Sequence, residues 1–563
     1  MVIPYNRRIL TETLVSAKIP CSPTFEEFRI LVRQTTLQPG KTHIVIPVFR
    51  TLLADHLTPV TAYERLSRRH DAQHAFLLES VVGGERIARY SFLASSPSTI
   101  IKATGNKVTI HHIAPALAGI DSHIIKDSPD PLKELENLLA PIQSVKLPNL
   151  PSFVGGAVGY AGYDTVRYLE PEKLTHIPSD DRHLPDLLFG IYDEIVIFDH
   201  VQKTILIVAN AIIPNHQITN SPDHQITLQS IYNSAIDRIN ALIADLQSSF
   251  TFELGTIDLS REIRPTSTAN MTQQDYESAV TAAKEYIKSG DIFQVVLSQR
   301  LQATTTARPF DIYRALRVIN PSPFMFYVSS PECALVGSSP EIMCRVLDGV
   351  ITNRPLAGTR RRGKNGAEDK VLESELLADP KERAEHIMLV DLGRNDVGRA
   401  AERGSVTLSD TMTVERYSHV MHIVSNVTGK LAPDKTVFDA LRLSLPVGTV
   451  SGAPKIRAMQ IIDELEPTKR GPYAGAIGYI DYNNNMDTCI ALRTMIITPS
   501  PSPPHIAPAS AGKTEGEPHS WTVYVQSGAG IVADSIPAAE HQECISKASA
   551  LLKAVALAEQ GLS

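Results

Sequence analysis

Apolar and polar residues alternate along HAFLLESV at 74–81, RYSFLA at 89–94, NKVTIHHI at 106–113 and YDEIVIFDHVQKTILIV at 192–208, the period-two pattern of half-buried strands. PTFEEFRILVRQ at 23–34 spaces its apolar residues at helical intervals instead. Together these predict an antiparallel α+β region over 23–260. Within it, the polar stretch 211–228 holds a near-duplicate, NHQIT at 215–219 and DHQIT at 223–227, expected as a loop insertion with histidines available to a metal, before a helix to about 246. From 265 to 557 the predicted elements lengthen. TCIALRTMIIT at 488–498 and WTVYVQSGAGIV at 521–532 read as two strands of a hairpin, with the Pro-, Ser- and Gly-rich segment 499–520 as its mobile tip. GGAVGY at 155–160 and AGAIGY at 474–479 resemble each other, as a duplicated sheet architecture would require, and neither fits the dinucleotide pattern GxGxxG.

A chain of 563 residues, 43% hydrophobic, buries large cores. Its net charge of −7 leaves no basic footprint for nucleic acid, and no apolar run approaches the roughly 18 residues of a membrane span. The five cysteines are scattered and lack CxxC spacing, which points to a reducing compartment rather than to disulfides or zinc. Residues 1–22 form an N-terminal extension without the pattern of a secretory signal, so the cytoplasm is the expected location, with organelle import as the open alternative.

Two segments change the picture. DPKERAEH at 379–386 and IPAAEHQECISK at 536–547 each carry two glutamates three residues apart, hence on one helix face. If folding opposes Glu382 and Glu385 to Glu540 and Glu543, the four carboxylates require a hard divalent cation, and Mg²⁺ is the expected one. The competing reading is local. Asp379 is a natural N-cap, Pro380 suits the first helical position, and Glu382 then serves only a capping box.

Ten blocks in order carry a more specific signal: GDIFQVVLSQR at 290–300, NPSPFMFY at 320–327, GSSPE at 337–341, RPLAGTRRRG at 354–363, DPKERAEHIMLVDLGRNDVGR at 379–399, VERYSHVMHIVS at 414–425, PVGTVSGAPKIRAM at 446–459, GPYAGAIGYI at 471–480, MDTCIALRT at 486–494 and GAGIVADSIPAAEHQE at 528–543. The set resembles the chorismate-utilising enzymes, most closely their anthranilate synthase large-subunit branch. The resemblance implies an α+β fold of two large antiparallel sheets packed face to face with helices outside, and a cleft that binds chorismate with Mg²⁺. It implies Glu385 and Glu543 as direct metal ligands, with Glu382 and Glu540 as further ligands or holders of metal-bound water.

By the same motif matches, Tyr473, Arg493, Gly358, Thr449, the Gly528-Ala529-Gly530 backbone and Lys547 bind the substrate. Glu341 is the expected general acid for the departing hydroxyl, and His422 with Thr359 belongs to the elimination of pyruvate. Each has a plainer alternative: SPE is a common helix start, Lys547 is placed for an i,i+4 pair with Glu543, His422 suits an apolar core, and Arg493 in an apolar run is either a buried ligand group or a strand-end residue. Gln294 stands where relatives that add water carry a lysine, which selects ammonia. Ala357 stands where aminodeoxychorismate synthases, the nearest alternative, often carry a lysine nucleophile.

The resemblance also implies a pocket for L-tryptophan as feedback inhibitor, with Glu79 and Ser80 on one wall and Pro323, Phe324, Met325, Ile477, Tyr479, Asp487 and Cys489 opposite. The plainer reading of FLLES and RYSF is alternating core strands. No cysteine lies in a glutaminase elbow, so ammonia is expected from a separate glutamine amidotransferase subunit, in a heterotetramer of two large and two small subunits. Arg361 and Phe324 depart from the proline and tyrosine common in the family at those positions.

Overall fold

The computed structural model describes residues 20–53, 55–68, 73–80, 89–113, 122–215, 222–248, 258–259, 266–416, 420–500 and 520–560. Most of the N-terminal extension, most of the first copy of the near-duplicate and most of the 499–520 segment lie outside the described residues.

Two sheets, of 13 and 12 strands among the described residues, dominate the chain. Pairing is antiparallel throughout except that Ile142–Ser144 adds to His43–Leu53 in parallel at one edge. Alternation places one apolar row of each strand between the sheets: Phe76, Phe326 and Leu335 from the larger meet Val158, Tyr160 and Ile477 from the smaller in one buried cluster. The opposite face of the larger sheet is covered by helices, including Phe25–Gln34, Pro59–Ser67, Pro309–Ile319 and Pro537–Glu559. Helices Pro131–Leu139, Val437–Ser444 and Lys455–Leu465 share a core with strands of the smaller sheet and with Gln294–Thr305 and Trp521–Ile531 of the larger. The architecture expected from the family resemblance is the one observed.

Strands from both halves of the chain form both sheets. Ala75–Glu79 pairs with Phe324–Ser329 at the centre of the larger sheet, and Gly156–Ala161 with Ala476–Asp481 at the centre of the smaller. From these pairs the strand order runs outward as a mirror. In the larger sheet Ala334–Ser339, Thr494–Pro499, Trp521–Ile531 and Gln294–Thr305 follow on one side, answered on the other by Tyr90–Ser95, Glu194–Asp199, Thr204–Pro214 and His43–Leu53. The smaller sheet repeats the scheme, with Met486–Ile490 and Ile342–Leu347 answered by Leu187–Tyr192 and Thr99–Thr104. The chain is a duplication, and GGAVGY and AGAIGY are its equivalent central strands, with Gly159 opposite Gly478.

Two neighbouring strands change sheets side by side. Ala334–Ser339 lies in the larger sheet and, after Pro340 and Glu341, continues as Ile342–Leu347 in the smaller. Met486–Ile490 lies in the smaller and, after Ala491 to Arg493, continues as Thr494–Pro499 in the larger. The two turns are bonded to each other: Ile490 N–H donates to the Glu341 carbonyl (3.0 Å) and Ser338 N–H to the Arg493 carbonyl (3.1 Å). The run TCIALRTMII is therefore two strands rather than one, interrupted where Arg493 adopts a left-handed φ of 47°. SPE is a sheet-to-sheet turn, not a helix start.

The described residues of 211–228 are not a loop insertion. Strand Thr204–Pro214 extends into the stretch, and helix Pro222–Leu246 takes in the second copy of the near-duplicate. The reason is periodic: Leu228, Tyr232, Ala235, Ile239, Leu242 and Leu246 recur every three or four residues and are all buried against the larger sheet.

Phe326 is 2% exposed between the sheets, and its ring covers Gly337 on the adjacent strand. Phe326→Ala is expected to lower unfolding free energy by about 3–5 kcal/mol, as read from urea denaturation followed by circular dichroism.

Candidate functional site

Beside the paired turns lies a cleft of about 230 Å³. Its floor is the antiparallel pair Gln294–Thr305 and Trp521–Ile531, in which Ser298 lies opposite Gly528 and Val296 opposite Gly530. A Cβ on Gly528 would stand 3.1 Å from Tyr473 Oη, and one on Gly530 would stand 2.6 Å from Gln294 Nε2. At Gly528, which lines the cleft, the backbone carries no side chain and lies beside a phenol that burial keeps protonated, while Gly530 lies against the Gln294 amide. Ala529 between them is buried in the core behind the floor.

The turn between the sheets delivers Glu341 to one wall. It is 9% exposed, its carboxyl accepts a hydrogen bond from Thr449 Oγ1 (3.2 Å), and burial pushes its pKa up to about 8. Such a group carries a proton at neutral pH and can give it up. Arg493, half-buried on the partner turn, lines the same cleft and supplies positive charge there.

His422 lies behind this wall on strand Val420–Lys430, paired with Leu356–Arg361. That pairing slips by one residue at Gly358, whose φ of +67° makes a bulge. The bulge turns the Gly358 carbonyl to His422 Nδ1 at 3.0 Å, with Thr359 Oγ1 at 3.1 Å. Because a carbonyl only accepts, Nδ1 carries the proton and Nε2 is the basic nitrogen. Burial, with the charge of Arg493, lowers the pKa of His422 and keeps the ring neutral. Ala357, on the same strand, is buried and has no nucleophilic atom.

The glutamate pairs sit on two helices that face the cleft. Asp379 caps Pro380–Ala400 through Lys381 N–H and Glu382 N–H, as the sequence predicts, but Glu382 makes no capping box. Its carboxylate accepts from Arg360 Nη1 at 2.9 Å instead, while the Asp379 N–H bonds back into the preceding helix. Glu385 lines the cleft, and its pKa is raised by desolvation and by the charges of Glu382 and, from the other helix, Glu543. Glu540 and Glu543 lie in the first turns of Pro537–Glu559, and Lys547 bonds both Glu543 (2.7 Å) and the Gly528 carbonyl (2.9 Å). The expected i,i+4 pair therefore exists, yet the lysine also belongs to the cleft. Among the described residues no three His, Cys, Asp or Glu side chains are gathered closely enough to hold a metal. The set fits a divalent cation by its chemistry: oxygen donors whose mutual repulsion is already felt at Glu385.

The support beneath the floor has no signature in the sequence. Arg470, 2% exposed, forms a double hydrogen bond with Glu466 (2.6 and 2.9 Å) and donates to the carbonyls of Val296 and Val450 (2.7 Å each). Spaced i,i+4 after a helix, the pair looks on the page like an ordinary surface ion pair. Arg360, bridging Asp379 and Glu382, likewise carries no sequence signal of its own.

A second cavity, of about 450 Å³, includes all nine residues expected at the inhibitor pocket. FLLES and RYSF are indeed adjacent core strands, and their ends form its wall. The Glu79 carboxylate is turned away, accepting from Tyr313 Oη (2.6 Å) and Arg317 Nη2 (3.1 Å). Asp487 is held by Arg345, with hydrogen bonds of 2.8 and 3.0 Å. Ser80 Oγ is buried without a hydrogen-bond partner among the described residues. The ring of Tyr479 stacks on Phe153 at 4.1 Å beside it.

The sequence profile of the chorismate binding enzymes matches residues 116–553. "Anthranilate synthase component 1" of Acetivibrio thermocellus is 42% identical over 536 residues, which is 95% of this chain and 98% of the relative. "Anthranilate synthase alpha subunit 1, chloroplastic" of Oryza sativa subsp. indica is 45% identical, covering 92% and 88%. The crystal structure of anthranilate synthase component I from Streptococcus pneumoniae TIGR4 superposes with a TM-score of 0.67 at 35% identity, over 89% of this chain and 99% of the other. MenF of Escherichia coli, a menaquinone-specific isochorismate synthase, shares the fold at 18% identity with a TM-score of 0.60, over 94% and 98%.

The proton on Glu341 has a measurable signature. Since its folded pKa, about 8, lies above the ordinary 4.5, the unfolded chain releases this proton first, and the group's contribution to stability is lost as pH rises from about 4.5 to 8. Urea unfolding across that window should show Glu341→Gln gaining stability relative to the parent chain as pH rises, with no further change above about pH 8.

Proposed function

This chain belongs to the chorismate-binding enzymes, in their anthranilate synthase component 1 branch, and is a chorismate lyase of tryptophan biosynthesis; we propose that it joins ammonia to chorismate, releases pyruvate and yields anthranilate, with Mg²⁺ as cofactor. The observation that carries the reading is a buried Glu341, its pKa raised by that burial, in one cleft with Arg493, Tyr473, Lys547 and the Gly528 backbone.

Chorismate has two carboxylates, which need fixed donors and charge. Arg493 and the Tyr473 phenol serve one, and the Gly528–Gly530 backbone with Lys547 serves the other. Glu385 and Glu543, with Glu382 and Glu540 beside them, would hold Mg²⁺, which when bound neutralises the ring carboxylate and draws electron density toward it. Ammonia enters near Gln294, a neutral side chain that does not trap ammonium. As nitrogen bonds to C2, the ring double bonds shift and the C4–O bond breaks. Glu341 gives its proton to that oxygen, which leaves as water, and the new ammonium nitrogen sheds a proton.

Loss of the C2 hydrogen then drives the second stage. Its electrons enter the ring, the C3–O bond breaks, and enolpyruvate departs to become pyruvate as the ring becomes aromatic. The neutral Nε2 of His422, fixed by the Gly358 carbonyl, suits the base.

The name component 1 of the relatives supports a separate subunit that supplies ammonia from glutamine, expected here as a two-plus-two heterotetramer. L-tryptophan as inhibitor fits the second cavity: Pro323, Phe324 and Met325 offer apolar surface for an indole, and Ser80 an unpartnered hydroxyl for the amino group. Five free, buried cysteines agree with a reducing compartment.

The direct assay mixes the chain with chorismate, Mg²⁺ and ammonium salt at alkaline pH and follows anthranilate fluorescence with and without EDTA. Metal-dependent anthranilate with equimolar pyruvate is expected; an aminodeoxychorismate or isochorismate product would overturn the reading. Glu543→Gln should lower turnover by about 100-fold or more, about 2.7 kcal/mol, with an unchanged circular dichroism spectrum. Ser80→Ala should raise the tryptophan concentration for half-inhibition about tenfold, about 1.4 kcal/mol, with little loss of turnover.

A further inference from the structure

We infer that Arg470 is the positioning residue of the substrate cleft, a single buried guanidinium that fixes three of its walls at once. The inference rests on the chorismate reading above. Arg470 reaches the carbonyl of Val296 on the cleft floor and the carbonyl of Val450, which closes the turn Gly448–Val450 carrying Thr449. Its guanidinium also lies 5.6 Å from the ring of Tyr473 and 4.7 Å from that of Tyr163. Val296, Thr449, Val450 and Tyr473 all line the cleft, and they come from three separate stretches of chain.

The charge is balanced, and the balance extends the network. Glu466 accepts from Arg470 and from both the N–H (2.8 Å) and Oγ (2.9 Å) of Ser298. Since the Ser298 hydroxyl has one proton and gives it to Glu466, it can only accept from Gln526 Nε2 at 2.9 Å. That fixes the orientation of the Gln526 amide, which also lines the cleft. Lysine cannot reproduce this arrangement, because one ammonium does not offer the planar fork that serves a carboxylate and two carbonyls together.

Through Val450 the guanidinium acts on Glu341. Thr449 donates to the acid's carboxyl, a bond that favours the ionised form, so a loosened turn lets the acid hold its proton to higher pH. The test uses Arg470→Lys in the full chain, with Arg470→Met/Glu466→Gln as a second variant that removes both buried charges. Calorimetry with chorismate and Mg²⁺ should show at least tenfold weaker binding. Steady-state kinetics should show kcat at least tenfold lower and its alkaline limb displaced upward. A merely structural role would lower thermal stability and leave affinity per folded molecule, kcat and the limb unchanged; that result in either folded variant overturns the inference. Absence of anthranilate from the unmutated chain would overturn the functional reading instead, while the calorimetric comparison would still decide the role of Arg470.

Discussion

The paired turn at which two neighbouring strands leave one sheet for the other is the constraint around which the cleft is organised. A buried chain that changes sheets abandons its ladder partners, and its N–H and C=O groups need new ones. Here the two turns satisfy each other, Ile490 to Glu341 and Ser338 to Arg493, so neither side chain is needed to repair the backbone. The side chains of Glu341 and Arg493 line the cleft instead. The left-handed φ of Arg493 is part of the same device, since it breaks an apolar run that alternation alone would continue as one strand.

The duplication shows why one half of the molecule carries the cleft. Its N-terminal counterpart also changes sheets, between Tyr90–Ser95 and Thr99–Thr104 and between Leu187–Tyr192 and Glu194–Asp199. In that half Ser98 and Asp193 stand near the places of Glu341 and Arg493. The Asp193 carbonyl accepts from the Asn210 backbone (2.8 Å) and its carboxylate from Tyr482, so the corner is tied up as structure. The same corner geometry thus serves packing in one half and, with different side chains, a binding cleft in the other.

Electrostatics divides the cleft into a dry wall and a wetter rim. Burial dominates at Glu341 and His422, holding one protonated and the other neutral. At the rim the exposed ion pair of Glu543 with Lys547, and the mutual repulsion felt at Glu385, leave charges that can rearrange around incoming ligands. A proton donor and a charged grip are therefore kept within one cavity by different degrees of contact with water.

Local sequence determined the helix start at Asp379 and Pro380, the one-face placement of each glutamate pair, most of the alternating strands, and, through the ordered blocks, the family and part of the lining of both cavities. These are properties of neighbouring residues, and neighbours are what a sequence displays. The SSP shared by ASSPS at 94–98 and GSSPE at 337–341 also falls at the duplicated corner. Tertiary structure decided that TCIALRTMII is broken, that 222–246 is a helix rather than partly a loop, that Glu382 pairs with Arg360 instead of capping, and that Glu79 turns from the inhibitor cavity toward Tyr313. It also decided that Arg470 and Glu466, an i,i+4 pair of surface appearance, lie fully buried under the cleft. Each of these outcomes depends on a partner far away in the chain, and burial, which sets both the direction of a side chain and the state of its proton, arises only when those distant segments meet.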